Sequence, residues 1–220
     1  MEQVKISVRN LVEFVLRSGD IDNRRGKGVQ KEAMQEGSRI HRKIQRRMGA
    51  TYQPEVPLKI EMQKDKYQLI VEGRADGIII EETGVTIDEI KGVYMDIHAM
   101  ESPVEVHLAQ AKCYAYIFAL KEELDEISVQ MTYCNLDTEE IRRFKETYSF
   151  EEIKTWFEMV IKLYEKWADF QYEARIERNA SITKLEFPYP YREGQREFQF
   201  SNRCISLYSC FILEISPFLI

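Results

Sequence analysis

In Ile87-Asp88-Glu89-Ile90-Lys91-Gly92 an acid and a lysine stand two residues apart inside an apolar run. Side chains two apart in a strand leave the same face, so Glu89 and Lys91 emerge together while Ile90 turns to the other side. Residues 85–93 have the length and the branched side chains of a strand, opened by a turn at Gly84. Upstream, 67–80 reads as one or two further strands and 56–62 as another, with Val56, Leu58, Ile60 and Met62 alternating. A helix over 29–48 carries Ala33, Met34, Gly37, Ile40, His41, Ile44 and Met48 along one face. A shorter one over 7–18 carries Leu11, Val12, Val15 and Leu16, with Ser7 as a possible N-cap. The polar residues 19–28 form a loop between the two.

Downstream, a helix runs from about Pro103, suited to a first turn, to Glu123. A strand follows over 127–134, an edge strand over 140–148, and a long helix over 151–178 with Ile153, Phe157, Val160, Ile161, Tyr164 and Trp167 inside. The order helix, three strands, helix, strand predicts a mixed α/β sheet with helices on both faces. Neither a G-x-x-x-x-G-K-[ST] phosphate loop nor a G-x-G-x-x-G turn is present, so nucleotide binding has no support.

Glu89 beside Lys91 is a pair that phosphodiester hydrolysis can use. The carboxylate can hold a hard divalent cation, and the ammonium can orient or deprotonate water and offset charge as it develops. Taken alone it is equally an ordinary same-face ion pair. Thirteen residues earlier lies Asp76, in Glu72-Gly73-Arg74-Ala75-Asp76-Gly77, followed at once by Ile78-Ile79-Ile80. An acid inside such a sheet is costly unless paired or metal-bound. Gly73 and Gly77 would let backbone or ligand come close, and a hairpin would set Asp76 beside Glu89. Asp76 as a plain turn residue is the bland alternative. His41 lies on the apolar face of its helix, one turn after Gly37, which permits close packing on the sheet. It is either a satisfied core histidine or a neutral third ligand. Gln110 and Tyr114, at i and i+4 on the following helix, are able to touch a base edge, a phosphate or the lysine.

These four motifs together resemble the RecB-like branch of the PD-(D/E)XK nucleases, over roughly residues 30–120. The family pattern G-x-x-x-H, G-x-x-D, (D/E)-x-K, Q-x-x-x-Y is met in order by Gly37 to His41, Gly73 to Asp76, Glu89-Ile90-Lys91, and Gln110 to Tyr114. The resemblance implies a restriction-endonuclease-like α/β fold, a mixed β-sheet flanked by helices with an α-β-β-β-α-β core. It implies His41, Asp76, Glu89 and the Ile90 carbonyl as ligands for Mg²⁺ or Mn²⁺, with Asp76, Glu89 and Lys91 catalytic. Gln110 and Tyr114 carry over as DNA-contacting or site-supporting residues. The activity implied is that of a deoxyribonuclease acting on single-stranded DNA or DNA ends, in repair or processing. An iron–sulfur cluster, found in some relatives, is not expected, because no cysteine precedes Cys113. Asp88 adjoins Glu89; alternation turns it away, though a strand bulge would exchange the two.

The composition, 44% hydrophobic and 31% charged, is that of a globular chain with a real core. Cys113, Cys134, Cys204 and Cys210 are scattered and read as free thiols. No signal peptide and no membrane span are evident, so a cytoplasmic protein is expected. The net charge of −6 hides a basic stretch: residues 17–47 hold ten Lys or Arg, Arg39 and Arg42 among them, against four acids. That stretch is +6, leads to His41, and is where a DNA backbone would lie. Residues 1–180 are expected to form the nuclease domain. Phe187 to Phe198 (Phe-Pro-Tyr-Pro-Tyr-Arg-Glu-Gly-Gln-Arg-Glu-Phe) looks like the segment that opens the motor core of XPD/DinG-type helicases. Residues 181–220 are therefore expected to be that segment plus an apolar tail, truncated or frameshifted, with a helicase as a possible partner. Two other readings stand beside the nuclease: a non-catalytic DNA-binding accessory module of a helicase, and a structural protein in which Asp76, Glu89 and Lys91 form a buried ion cluster.

Overall fold

A computed structural model describes residues 2–17 and 27–182, with 27–34 by backbone alone. The elements are β1 (Gln3–Ser7), α1 (Val8–Val15), α2 (Lys27–Gln45), β2 (Tyr52–Gln63), β3 (Gln68–Glu81) and β4 (Gly84–Val93). After a short 3₁₀ turn at Ile97–Ala99 come α3 (Glu105–Glu122), β5 (Glu126–Asn135), β6 (Ile141–Ser149) and α4 (Phe150–Ile182). The six strands form one mixed sheet in the order β1-β3-β4-β5-β6, with β2 paired to the remaining edge of β3. β1–β3 and β4–β5 are parallel; the other pairs are antiparallel. This is the mixed α/β, helix-flanked architecture expected, edge strand included, with β1 added to it. Packing separates Met1–Arg175 from Ile176–Ile220.

Ser7 caps α1 as expected: its hydroxyl accepts from the Asn10 N–H at 3.1 Å. The residues before it are a strand, which the sequence reading missed because Gln3-Val4-Lys5-Ile6-Ser7 is too short to show its alternation against the adjoining helix. α3 is the central helix, with nine buried residues including Ala109, Ala111, Ala115 and Ala119. Small side chains along it let the sheet approach. The main core lies between the sheet and α1, α3 and α4, around Leu11, Ile78, Ile87, Tyr133, Phe157 and Tyr164. α2 lies on the opposite face, where Ile40 and Ile44 pack on Ile90, Cys134 and Leu136 in a smaller cluster of their own.

Two expectations about packing are corrected. Trp167 is 39% exposed and stacks between Phe14 and Phe170 rather than lying inside. Gly37 serves no close approach, since a Cβ there would meet nothing within 4 Å. Among the described residues no helix is long and apolar enough to cross a membrane. The helicase-like segment, the apolar tail and part of the basic stretch fall outside the described residues.

The pairing of β3 leaves a gap in the middle of the sheet. β2 runs along one edge of β3, while β1 and β4 share the other edge end to end: β1 covers 68–72 and β4 covers 77–81. Residues 73–76, Gly-Arg-Ala-Asp, fill the interval between them. β2 also loosens there: Pro54 pairs with Gly77 and Val56 with Ala75, while Glu55, which stands opposite Asp76 in the same register, is left out of the ladder. Asp76 therefore sits where the sheet is open on both sides.

Candidate active site

The opening lets the Asp76 carboxylate act as a ladder partner. Its Oδ2 accepts the Ile90 N–H at 2.8 Å, joining β3 to β4 just beyond their last paired residues. Its Oδ1 lies 3.2 Å from His41 Nδ1. The backbone carbonyl of Asp76 accepts from Gln45 Nε2 at 2.9 Å. His41 and Gln45 are one turn apart on α2, so that helix grips Asp76 by side chain and backbone at once. Burial works against a charge on His41, but the Asp76 hydrogen bond and charge outweigh it and raise its pKa.

Glu89 and Lys91 share a face, as alternation requires. Lys91 Nζ donates to Glu89 Oε1 at 2.7 Å and to Gln110 Oε1 at 3.1 Å. Glu89 is almost wholly enclosed, and its other oxygen, Oε2, is buried without a hydrogen-bond partner. Burial, reinforced by the negative charge of Asp76, pushes the Glu89 carboxyl up to about 8 against the pull of Lys91. Gln110 also hydrogen-bonds the Tyr114 hydroxyl, which receives the Arg74 backbone N–H. A Cβ at Gly73 would lie 2.6 Å from that hydroxyl, which gives the glycine of this motif its physical reason. Tyr114 is buried.

Asp88 faces away from Lys91 with no bulge exchanging it for Glu89. It is fully buried and accepts from Thr132 Oγ1 at 2.6 Å, Gln130 Nε2 at 3.0 Å and the Tyr52 hydroxyl at 3.3 Å. Burial raises its pKa, while the donors from Thr132 and Gln130 work against the rise. Asp88→Asn keeps the shape and most of these bonds on the face away from Lys91. It is expected to leave any cleavage within roughly threefold of wild type and the melting temperature unlowered at pH 7. Cleavage rates and a thermal melt check both, and a large loss of activity with the fold intact would place Asp88 in the centre after all.

Arg39 is tied to Glu36 and Glu139 at 2.6 and 2.9 Å, and Lys43 also pairs with Glu139. Hydrogen bonds from Lys43 and Arg39 hold the Glu139 carboxyl down at about 2. Arg42 lines a cavity beside His41 and Asp76.

The model of the PD-(D/E)XK nuclease superfamily matches residues 6–181, most of the chain. The chain belongs to the PD-(D/E)XK nuclease superfamily. The six-stranded mixed sheet with helices on both faces agrees with the restriction-endonuclease-like fold of that family. Among solved structures the chain is similar to the crystal structure of SSO0001, at 19% identity over 74% of this chain and 78% of that one, with a TM-score of 0.46. A search of curated proteins gave no match.

PD-(D/E)XK nucleases use divalent metals, usually Mg²⁺ or Mn²⁺. Among the described residues no three of His, Cys, Asp and Glu are already drawn into a metal cage. His41 holds Asp76, and Lys91 holds Glu89. The donor chemistry nevertheless fits: an unpartnered buried carboxylate oxygen on Glu89 is an unmet demand for a cation, with a second carboxylate near enough to repel it.

The sequence reading missed Gln45, Tyr52, Glu55 and Arg74. Gln45 carried a signal, lying four residues after His41 on the same helix face. The kink at Glu55 carried none, because its φ of 55° is a left-handed conformation without the glycine or asparagine that usually announces one.

Proposed function

We propose that residues 1–180 form a divalent-metal-dependent deoxyribonuclease of the RecB-like branch. It hydrolyses phosphodiester bonds of single-stranded DNA or DNA ends in repair or processing, alongside a helicase. The observation that carries this reading is Lys91 Nζ held between Glu89 and Gln110, beside a carboxylate oxygen that lacks any partner.

Asp76, Glu89, His41 and the Ile90 carbonyl are the groups that would hold Mg²⁺ or Mn²⁺. The ion, when bound, supplies Lewis-acid activation of water and neutralises charge on the phosphate. The chain's own residues do the rest. Gln110 and Tyr114 fix the lysine through a chain of hydrogen bonds, so no reorganisation is needed as charge develops. Lys91 presents a positive, proton-bearing group to the phosphate oxygens and the attacking water. The Ile90 N–H and His41 keep Asp76 from swinging out of the opening in the sheet.

Lys91→Ala is expected to reduce cleavage of end-labelled single-stranded DNA by at least roughly a hundredfold in Mg²⁺ or Mn²⁺. Chelator is expected to stop cleavage by the wild type, and the product ladder separates exonucleolytic from endonucleolytic action. A Lys91→Ala protein that cuts like wild type would refute the assignment. Wild-type protein that binds DNA and cuts with neither metal would instead be the accessory clamp.

A further inference from the structure

A cavity of about 550 Å³ adjoins the His41–Asp76 pair and is lined also by Arg42, Gln45, Glu55 and Arg74. Asp76 is already engaged there by the Ile90 N–H, His41 and Gln45. Its remaining charged groups are two guanidiniums and one carboxylate. Arg42 donates Nε to the Ser38 carbonyl one turn back, at 3.1 Å, and among the described residues no acid pairs with it. Arg42 is among the residues that line the cavity. Arg74 lies two residues before Asp76 on β3, on the same face, and its Nε sits 2.7 Å from Glu55 Oε2.

Glu55 is placed there by an uncommon backbone. It is the residue of β2 left unpaired opposite Asp76, with φ of 55° in a region that a non-glycine residue occupies at a conformational cost. Its carboxylate lines the cavity, where Gln45 Nε2 donates to one oxygen at 3.0 Å and Arg74 to the other. A carboxylate oxygen accepts from a guanidinium much as a phosphate oxygen does. The cavity is thus built around an anion that the chain itself supplies. Both partners remain solvent-facing, with the Arg74 side chain 67% and the Glu55 side chain 42% exposed, so the pair can exchange.

We propose that this cavity seats a phosphodiester group of the DNA strand adjacent to the scissile one, gripped by Arg42 and Arg74, with the Glu55 carboxylate holding the place until the strand arrives. The assignment rests on the nuclease reading and extends it to a strand-positioning subsite. Arg42 and Arg74 orient the strand on the side of Asp76 away from Lys91. Glu55 keeps Arg74 extended towards the cavity when no DNA is bound, and repels any strand that fails to displace it.

Binding is measured in chelator, so that nothing is cut, by fluorescence anisotropy of a labelled single-stranded oligonucleotide at a series of salt concentrations. Glu55→Gln is expected to tighten binding roughly three- to tenfold by removing a like charge. Glu55→Gly, which suits the left-handed backbone, is expected to do the same. Arg74→Ala and Arg42→Ala are each expected to weaken binding and to reduce the salt slope by about 1. Lys121→Ala, at the far end of α3, is expected to change neither. Thermal melts establish that each variant is folded.

The proposal is overturned if the two Glu55 variants bind no better than wild type, or if Arg74→Ala leaves the salt slope unchanged, while the wild type binds DNA and cuts it with metal. The nuclease reading would then stand without this subsite. Wild type that neither binds nor cuts would remove the nuclease reading and this proposal with it.

Discussion

Glu89→Gln is expected to end strand cleavage and yet to raise the melting temperature of the protein in chelator. The first effect follows from losing the carboxylate that would hold the metal beside Lys91. The second follows from burial. Glu89 has one oxygen on Lys91 and one on nothing, inside an enclosed site that also feels the charge of Asp76. The amide keeps the bond to Lys91 and removes the ionised oxygen that burial penalises. Because the folded-state pKa lies above the unfolded one, the folded protein binds this proton more tightly. The stability it contributes is full below the ordinary carboxylate range and is lost as pH rises to about 8. The variant's advantage should therefore be small at pH 5 and largest near pH 9, where about 1–2 kcal/mol corresponds to roughly 3–6 °C in a domain of this size. Melting curves across that range decide it. A variant less stable than wild type at every pH would mean that the Glu89–Lys91 pair is a net stabiliser, and the reading of the site as poised for a cation would fail.

The other large effect is on stability alone. A Cβ on residue 77 would stand 1.9 Å from the Tyr52 hydroxyl oxygen and 2.0 Å from the ring carbon that bears it. Tyr52 cannot simply step aside: it is buried, and its hydroxyl shares its one hydrogen between Asp88 Oδ2 and the Asp76 carbonyl. Gly77→Ala is therefore expected to lower stability by about 3 kcal/mol or more, seen as a drop of roughly 6–12 °C in melting temperature. Tyr52→Ala will itself leave a hole. If the clash is the cause, the double variant should be markedly more stable than the sum of the two single losses predicts. Strict additivity would mean that Gly77 is needed for some other reason.

Most of the core sheet was legible because each strand carries its own alternation, and α3 because its apolar residues continue for five turns. β1 was not legible, since five residues read as a strand only when Gln68–Glu72 lies beside them. Trp167 was assigned to the interior on helical period alone, which cannot tell a buried stripe from the exposed shelf it shares with Phe14 and Phe170. In the site, Glu89, Lys91, Asp76, His41 and Gln110 stand out in the sequence because four motifs occur in order, although each alone has an ordinary alternative. The arrangement that unites them was not. Nothing in the order of residues says that β1 and β4 stop short of each other along β3, or that β2 leaves its ladder opposite the same aspartate. Those are facts of pairing between distant segments, and Glu55 and Arg74 stayed hidden for the same reason.

The separate packing of α2 gives the site two mechanical halves. Glu89 and Lys91 belong to the sheet and to the large core under α3, so they persist as long as the domain is folded. His41, Gln45 and Arg42 belong to a helix that, among the described residues, is held by Ile40 and Ile44 packed on Ile90, Cys134 and Leu136, and by surface pairs to Glu139. Surface pairs weaken as salt rises. A small cluster opens at lower free energy than a large one, so amides of α2 would exchange with solvent while those of β4 and α3 stay protected. The two halves of the site thus rest on cores of different size, and exchange of α2 amides ahead of those of β4 and α3 is the result expected.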